Sequence, residues 1–242
     1  MTINDKKTAE ELIKLTRIIK SLRSPDGCPW DKIQTAESLK PYLLEEAYEL
    51  LEAIESNHSN DIRDELGDLL LQIVFLAQIY QENQQFDLFD VAAAINKKLI
   101  RRHPHVFANA STAGHTERWE QIKHQERAEQ GKKSSLADRL PKTLPALKKA
   151  SKVAKISASL SPDELIEKLQ VDLDYLKQKI NKMESPFTKM DQCLSDLLYS
   201  FVELTSQLHI DAEDILRQKT IQVMTEIDSR IETEIGQELQ SS

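Results

Sequence analysis

A chain of 242 residues with 5 glycines, 8 prolines, 5 % aromatic and 30 % charged residues suits amphipathic helices and excludes a turn-rich sheet protein, so an all-α fold in one large or two small domains is expected. The formal charge of −8 argues against a nucleic-acid partner, since a broad binding surface needs clustered Lys and Arg. Cys28 and Cys193 stand far apart with no Cys-x-x-Cys pair, which suggests neither a zinc ribbon nor a disulfide framework, and no apolar run reaches membrane-spanning length, so the expectation is a soluble protein of a reducing cytoplasm with no membrane partner.

Thr8 and Glu11 read as a capping box, and Leu12, Leu15, Ile18, Ile19 and Leu22 then recur at helical spacing to about Arg23. The stretch SPDGCPWDKIQT carries two prolines and a glycine and predicts a loop, with Trp30 as an exposed or docking aromatic. A second helix is expected over Glu37 to Glu55. After a break at residues 57–60, a nearly continuous apolar helix over Asp61 to Glu82 should be central and buried. Asp87 can cap a fourth helix running to Arg102, where Pro104 stops it. Residues from Trp119 to Gln130 read as helical and close a first domain, 1–130. GKKSSLADRLPKTLP forms the linker, 131–145, and a second helical domain fills 146–242. There Ser161, Pro162 and Glu164 supply a cap, a first-turn proline and a third-position acid, and further helices fit Met190 to Leu208 and Asp211 to Glu234.

The chain carries an internal repeat. ELGDLLLQIVFL, from Glu65, lies over CLSDLLYSFVEL, from Cys193, with the apolar positions and the aspartate coinciding, and FDLFDV then corresponds to IDAEDI.

Each of two neighbouring helices offers acids three residues apart. LLEEAYEL holds Glu45, Glu46 and Glu49, and DELGDLL holds Glu65 and Asp68. At about 100° per residue, Glu46 and Glu49 share a side with Leu39, Tyr42, Leu43, Leu50 and Ala53, while Glu65 and Asp68 share theirs with Ile62, Leu69 and Leu76. Acids among leucines are costly unless a cation compensates, and a set of oxygen donors alone suits Mg²⁺ or Mn²⁺ rather than zinc. A lone Glu-x-x-Asp is ordinarily a solvated surface pair; two facing pairs point to a metal. Magnesium held by carboxylates commonly meets a substrate phosphate. Lys98, Arg101 and Arg102 could clamp a polyphosphate, or simply complement a helix C-terminus. His103 and His105 read as structural. Trp30 and Trp119 could stack on a base, though packing is the readier account of each.

The pattern Glu45-Glu46-Ala47-Tyr48-Glu49, a spacer, then Glu65-Leu66-Gly67-Asp68 resembles the signature of the MazG nucleoside triphosphate pyrophosphohydrolases, as do GCPWDKIQT, LGDLL and KLIRRHPHVF. The resemblance implies tandem helical-bundle domains in an all-α homodimer that cleaves (d)NTPs between the α and β phosphates. It makes Glu46, Glu49, Glu65 and Asp68 ligands of Mg²⁺, with Mn²⁺ the substitute, gives Glu45 a part in deprotonating the attacking water, and has Lys98, Arg101 and Arg102 bind the triphosphate. The second copy departs from the pattern. Glu45, Glu46 and Glu49 correspond to Val171, Asp172 and Tyr175, and Glu65 to Cys193, while Asp196 alone is retained. Lys98, Arg101 and Arg102 fall opposite Gln222, Thr225 and Glu226. The second copy is therefore expected to be catalytically silent and to support assembly. The rival expectation is a nucleotide-binding sensor without turnover.

Overall fold

The computed structural model describes residues 2–108, 119, 121–123, 125–126, 129, 131, 135, 140–157, 159–181 and 187–240. It resolves into two compact units, Met1–His124 and Gln125–Ser242. Every regular element among the described residues is an α-helix. The first unit holds α1 (Ile3–Leu22), α2 (Pro29–Ile33), α3 (Lys40–Ser56), α4 (Ser59–Glu82), α5 (Leu88–Arg102) and α6 (Pro104–Phe107). The second holds α7 (Ala146–Ser157), α8 (Pro162–Asn181), α9 (Phe187–Gln207) and α10 (Ala212–Gln240). Residues 132–134 and 136–139 of the expected 131–145 linker lie outside the described residues, as do 120, 124, 127, 128 and 130 of the helix expected from Trp119 to Gln130, whose described residues are helical. None of the described helices is long and apolar enough to cross a membrane.

α1 is capped six residues before the expected Thr8. Thr2 is the N-cap: its hydroxyl accepts from the Asp5 amide at 3.2 Å, and the Asp5 carboxylate accepts from the Thr2 amide at 2.5 Å. Both Thr-x-x-acid patterns satisfy the capping rule, and nothing between them terminates a helix, so the upstream one prevails. Thr8 instead lies inside the helix, where its hydroxyl donates to the Asn4 carbonyl at 3.0 Å.

The stretch expected to be wholly loop contains α2. Pro29 occupies the first turn, where its fixed φ and missing N–H are tolerated, and Gln34 ends the helix in extended conformation. Gly27 makes the tight approach before it possible. A Cβ at this position would lie 2.2 Å from the Leu22 carbonyl oxygen, while the Cys28 amide donates to that same oxygen at 2.8 Å. α3 begins at Lys40 rather than Glu37 because Thr35 and Ser38 first form a reciprocal turn, each side chain accepting from the other's amide.

Only Asn57 and His58 separate α3 from α4. Asn57 adopts the left-handed conformation at φ 57°, which reverses the chain and sets the two helices as an antiparallel pair. α4 packs against α1, α3 and α5. Its buried residues begin at Gln72, and Val74, Phe75 and Ile79 join Ile19 and Leu39 in the core of the first unit. Each such side chain contributes about 1.5–3 kcal/mol on burial. The N-terminal half of α4 is more open than its apolar pattern suggests: Ile62 and Leu69 are half-buried and Leu66 is exposed. The acids therefore stand at the border of the core, not within it.

In the second unit, Ser161 and Glu164 form the expected capping box at the start of α8. α8 and α7 both pack on α9, around Ala154, Leu165, Leu169, Leu197 and Val202. The ends of α4 and α9 are built alike. Gln84 and His209 are left-handed at φ 56° and 58°, and the next amides, of Gln85 and Ile210, donate to the carbonyls of Tyr80 and Thr205. The following helices are capped by Asp87 and Asp211, as expected of the former.

Candidate active site

The antiparallel α3–α4 pair places Glu49 and Glu46 of one helix against Glu65 and Asp68 of the other. One carboxylate oxygen from each of Glu46, Glu49 and Glu65 lies within 4.8 Å of the others. Glu46 and Glu65 are half-buried, Glu49 and Asp68 exposed. Burial raises the pKa of Glu46, and Asp68, Glu49 and Glu45 raise it further, against a lowering hydrogen bond from Gln72. Burial likewise raises Glu65, followed by repulsion from Glu49, Asp68 and Glu46. Asp68 thus belongs to the electrostatic cluster, although its oxygen is not part of the tight triad. The Glu65 Oε2 atom is buried and has no hydrogen-bond donor among the described residues.

Such an arrangement fits a hard divalent cation. It offers only oxygen donors, converging from two rigid helices, with an unsatisfied acceptor among them and mutual repulsion that a cation would relieve.

Glu45 is exposed on α3, next to Glu46 and outside the triad. Lys98 and Arg101 stand on the exposed surface of α5, the helix packed on α4. The Arg102 guanidinium lies over the Trp119 ring at 5.6 Å, and Lys123 approaches the same ring at 4.1 Å. Trp119 is therefore engaged by cations in the fold. His103 closes the end of α5 through its Nδ1, 2.8 Å from the Leu99 carbonyl, and its ring meets His105 edge-on. Trp30 is 50 % exposed and rests edge-on against Tyr42, with the ring centroids 6.0 Å apart.

Two residues of the first unit, one of them in contact with the site, escape the sequence reading. Arg23, whose side chain is 7 % exposed, donates to the carbonyls of Asp31 at 2.6 Å and Gln34 at 3.2 Å, pairs with Glu82 at 2.7 Å and lies over the Phe75 ring. It ties α2 to α4 and holds the Glu82 carboxyl below its ordinary value. In sequence it looks like any cation near a helix C-terminus. Gln72, an amide within the apolar run of α4, donates through Nε2 to Glu46 Oε1 at 3.4 Å. Its signal was visible as a polar residue among leucines.

In the second unit the corresponding positions hold no acidic triad among the described residues. The Cys193 thiol donates to the Asp172 carbonyl at 3.8 Å, and burial followed by Asp172 and Asp196 raises its pKa. Asp196 accepts from Gln192 at 3.0 Å, and Val171 and Tyr175 are exposed. Gln222, Thr225 and Glu226 lie on the exposed surface of α10, where Gln222 donates to Glu226.

The profile of the MazG nucleotide pyrophosphohydrolase domain matches residues 34–107, which span both acidic pairs and the basic end of α5. The nucleoside triphosphate pyrophosphohydrolase of Escherichia coli K12 is 42 % identical over 217 residues, covering 86 % of this chain and 82 % of that protein. The nucleoside triphosphate pyrophosphohydrolase/pyrophosphatase MazG of Thermotoga maritima is 41 % identical over 212 residues, covering 86 % and 80 %. The crystal structure of a MazG-related protein from Thermotoga maritima, 28 % identical, covers 46 % of this chain and 97 % of its own at a TM-score of 0.40. With this identity across most of both chains, and an acid cluster built from the matched segment, the protein belongs to the MazG family of nucleotide pyrophosphohydrolases.

Proposed function

We propose that the α3–α4 cluster hydrolyses nucleoside triphosphates to monophosphates and pyrophosphate, with Mg²⁺ held by Glu46, Glu49, Glu65 and Asp68. The chain is a hydrolase acting on acid anhydrides, as are the relatives named above. The observation that carries the site is the convergence of three carboxylate oxygens within 4.8 Å, with a buried Glu65 oxygen that has no hydrogen-bond donor among the described residues. Bound there, the ion would supply positive charge against the phosphate oxygens and the departing pyrophosphate. Water attacks the α phosphorus, a new P–O bond forms, the bond to the α–β bridging oxygen breaks and the electron pair leaves with pyrophosphate. Glu45, exposed beside Glu46, accepts the proton of that water. Lys98 and Arg101, with Arg102 after release from Trp119, bind the triphosphate from the basic end of α5.

The second unit, which lacks the triad among its described residues, serves assembly rather than turnover. We assign the working form to a homodimer. The domains run 1–130 and 146–242 around a 131–145 linker. The test is product identity. Incubating the full chain with a nucleoside triphosphate and magnesium should yield monophosphate and pyrophosphate in equal amounts. Diphosphate and orthophosphate would contradict the cleavage position, and binding without turnover would favour a sensor.

A further inference from the structure

On α4, residues 65, 68 and 72 are spaced by three and four and so share one face. Glu65 and Asp68 carry the acids, and the third position of the row is a neutral amide. Gln72 is 8 % exposed, and a buried amide is costly unless it is hydrogen-bonded. Its Nε2 finds its partner across the helix pair in Glu46 Oε1, at 3.4 Å. We infer that Gln72 is a positioning residue, which holds the Glu46 carboxylate in register with Glu49 and Glu65 for a divalent cation. The inference rests on the metal-site reading above.

The choice of amide has a physical reason. A lysine at this position would also hold a carboxylate, but its charge would occupy the place of the cation. An amide orients the ligand and leaves the negative charge of the cluster intact. The second unit shows the alternative. In the matched stretches ELGDLLLQ and CLSDLLYS, Gln72 corresponds to Ser200, just as Glu65 corresponds to Cys193. Ser200 is fully buried and its hydroxyl accepts from Lys168 Nζ at 2.8 Å. Where Glu49 and Glu65 have given way to Tyr175 and Cys193, and only Asp172 and Asp196 stay acidic, the orienting amide is gone too, and a lysine bonds the residue in its place.

The test is Mn²⁺ titration of the full-length protein, following free Mn²⁺ by electron paramagnetic resonance, for wild type, Gln72→Met, Gln72→Asn and Glu49→Gln. Both Gln72 variants should bind Mn²⁺ about 10- to 100-fold more weakly while keeping the metal-free helical content, and turnover should recover as metal is raised. Wild-type Mn²⁺ affinity in the variants, with only the metal-free melting point changed, would reduce Gln72 to a packing residue and overturn the inference. If Gln72→Met does not fold, Gln72→Asn decides, since it keeps an amide that is one methylene too short. Wild-type protein that binds no Mn²⁺, or a Glu49→Gln protein that binds it equally well, would overturn the metal-site reading and this inference with it.

Discussion

Burial and neighbouring carboxylates push Glu46 and Glu65 in the same direction, above the ordinary value of 4.5. Between that value and the raised one, the folded state of the metal-free protein holds more protons than the unfolded chain. Stability contributed by these two groups therefore rises as pH falls through that window, and is lost as pH climbs out of it. Glu82 and Asp211 behave oppositely, because Arg23 and Lys148 lower them, but their loss belongs below the ordinary carboxylate range. Metal-free protein should thus melt at a higher temperature somewhat above pH 4.5 than at neutrality. Adding magnesium should raise the neutral melting point, since the ion binds the native state alone. A Glu46→Gln/Glu65→Gln double variant, followed by calorimetry across that range, should lose the metal-free slope; an unchanged slope would show that other groups cause it. The acids themselves were legible in the sequence because helical periodicity fixes which side chains share a face. The contribution of Arg23 was not, because its partners at Asp31, Gln34 and Glu82 come together only in the folded unit.

Among the helices, those with local end signals were read most accurately. Ser161 with Glu164, Asp87 and Pro104 mark boundaries by chemistry confined to one turn, and the structure places them accordingly. Where two signals compete, as at Thr2 and Thr8, local rules do not choose between them. The central apolar helix was legible as an element but not in its burial, since leucines continue into the half of α4 that the core does not cover. The α2 segment illustrates the converse: proline and glycine read as breakers, yet Pro29 opens a helical turn and Gly27 admits the close approach that precedes it. Gly27→Ala should consequently cost roughly 1–3 kcal/mol, as overpacking against fixed backbone does. Chemical denaturation would measure this, and a neutral substitution would mean that the 21–28 turn yields easily. The displaced turn should also loosen the contact of Trp30 with Tyr42.

At the scale of the whole chain, both units leave large apolar side chains in water. Leu44, Tyr48, Leu51 and Ile54 are exposed along α3, as are Phe89, Ile95 and Leu99 on α5, and Leu194, Leu198 and Phe201 on α9. A homodimer would cover such faces, and light scattering should return twice the chain mass of 27.7 kDa; a monomeric mass at assay concentration would remove the dimer from the account. The measurement that bears most directly on the central claim is pyrophosphate release from nucleoside triphosphates by the full chain, with and without magnesium, in wild type and Glu49→Gln. The account predicts magnesium-dependent release that is abolished in the variant, because it proposes the α3–α4 triad as the seat of the catalytic metal. Release that persists in a folded Glu49→Gln protein would place the chemistry elsewhere and contradict it.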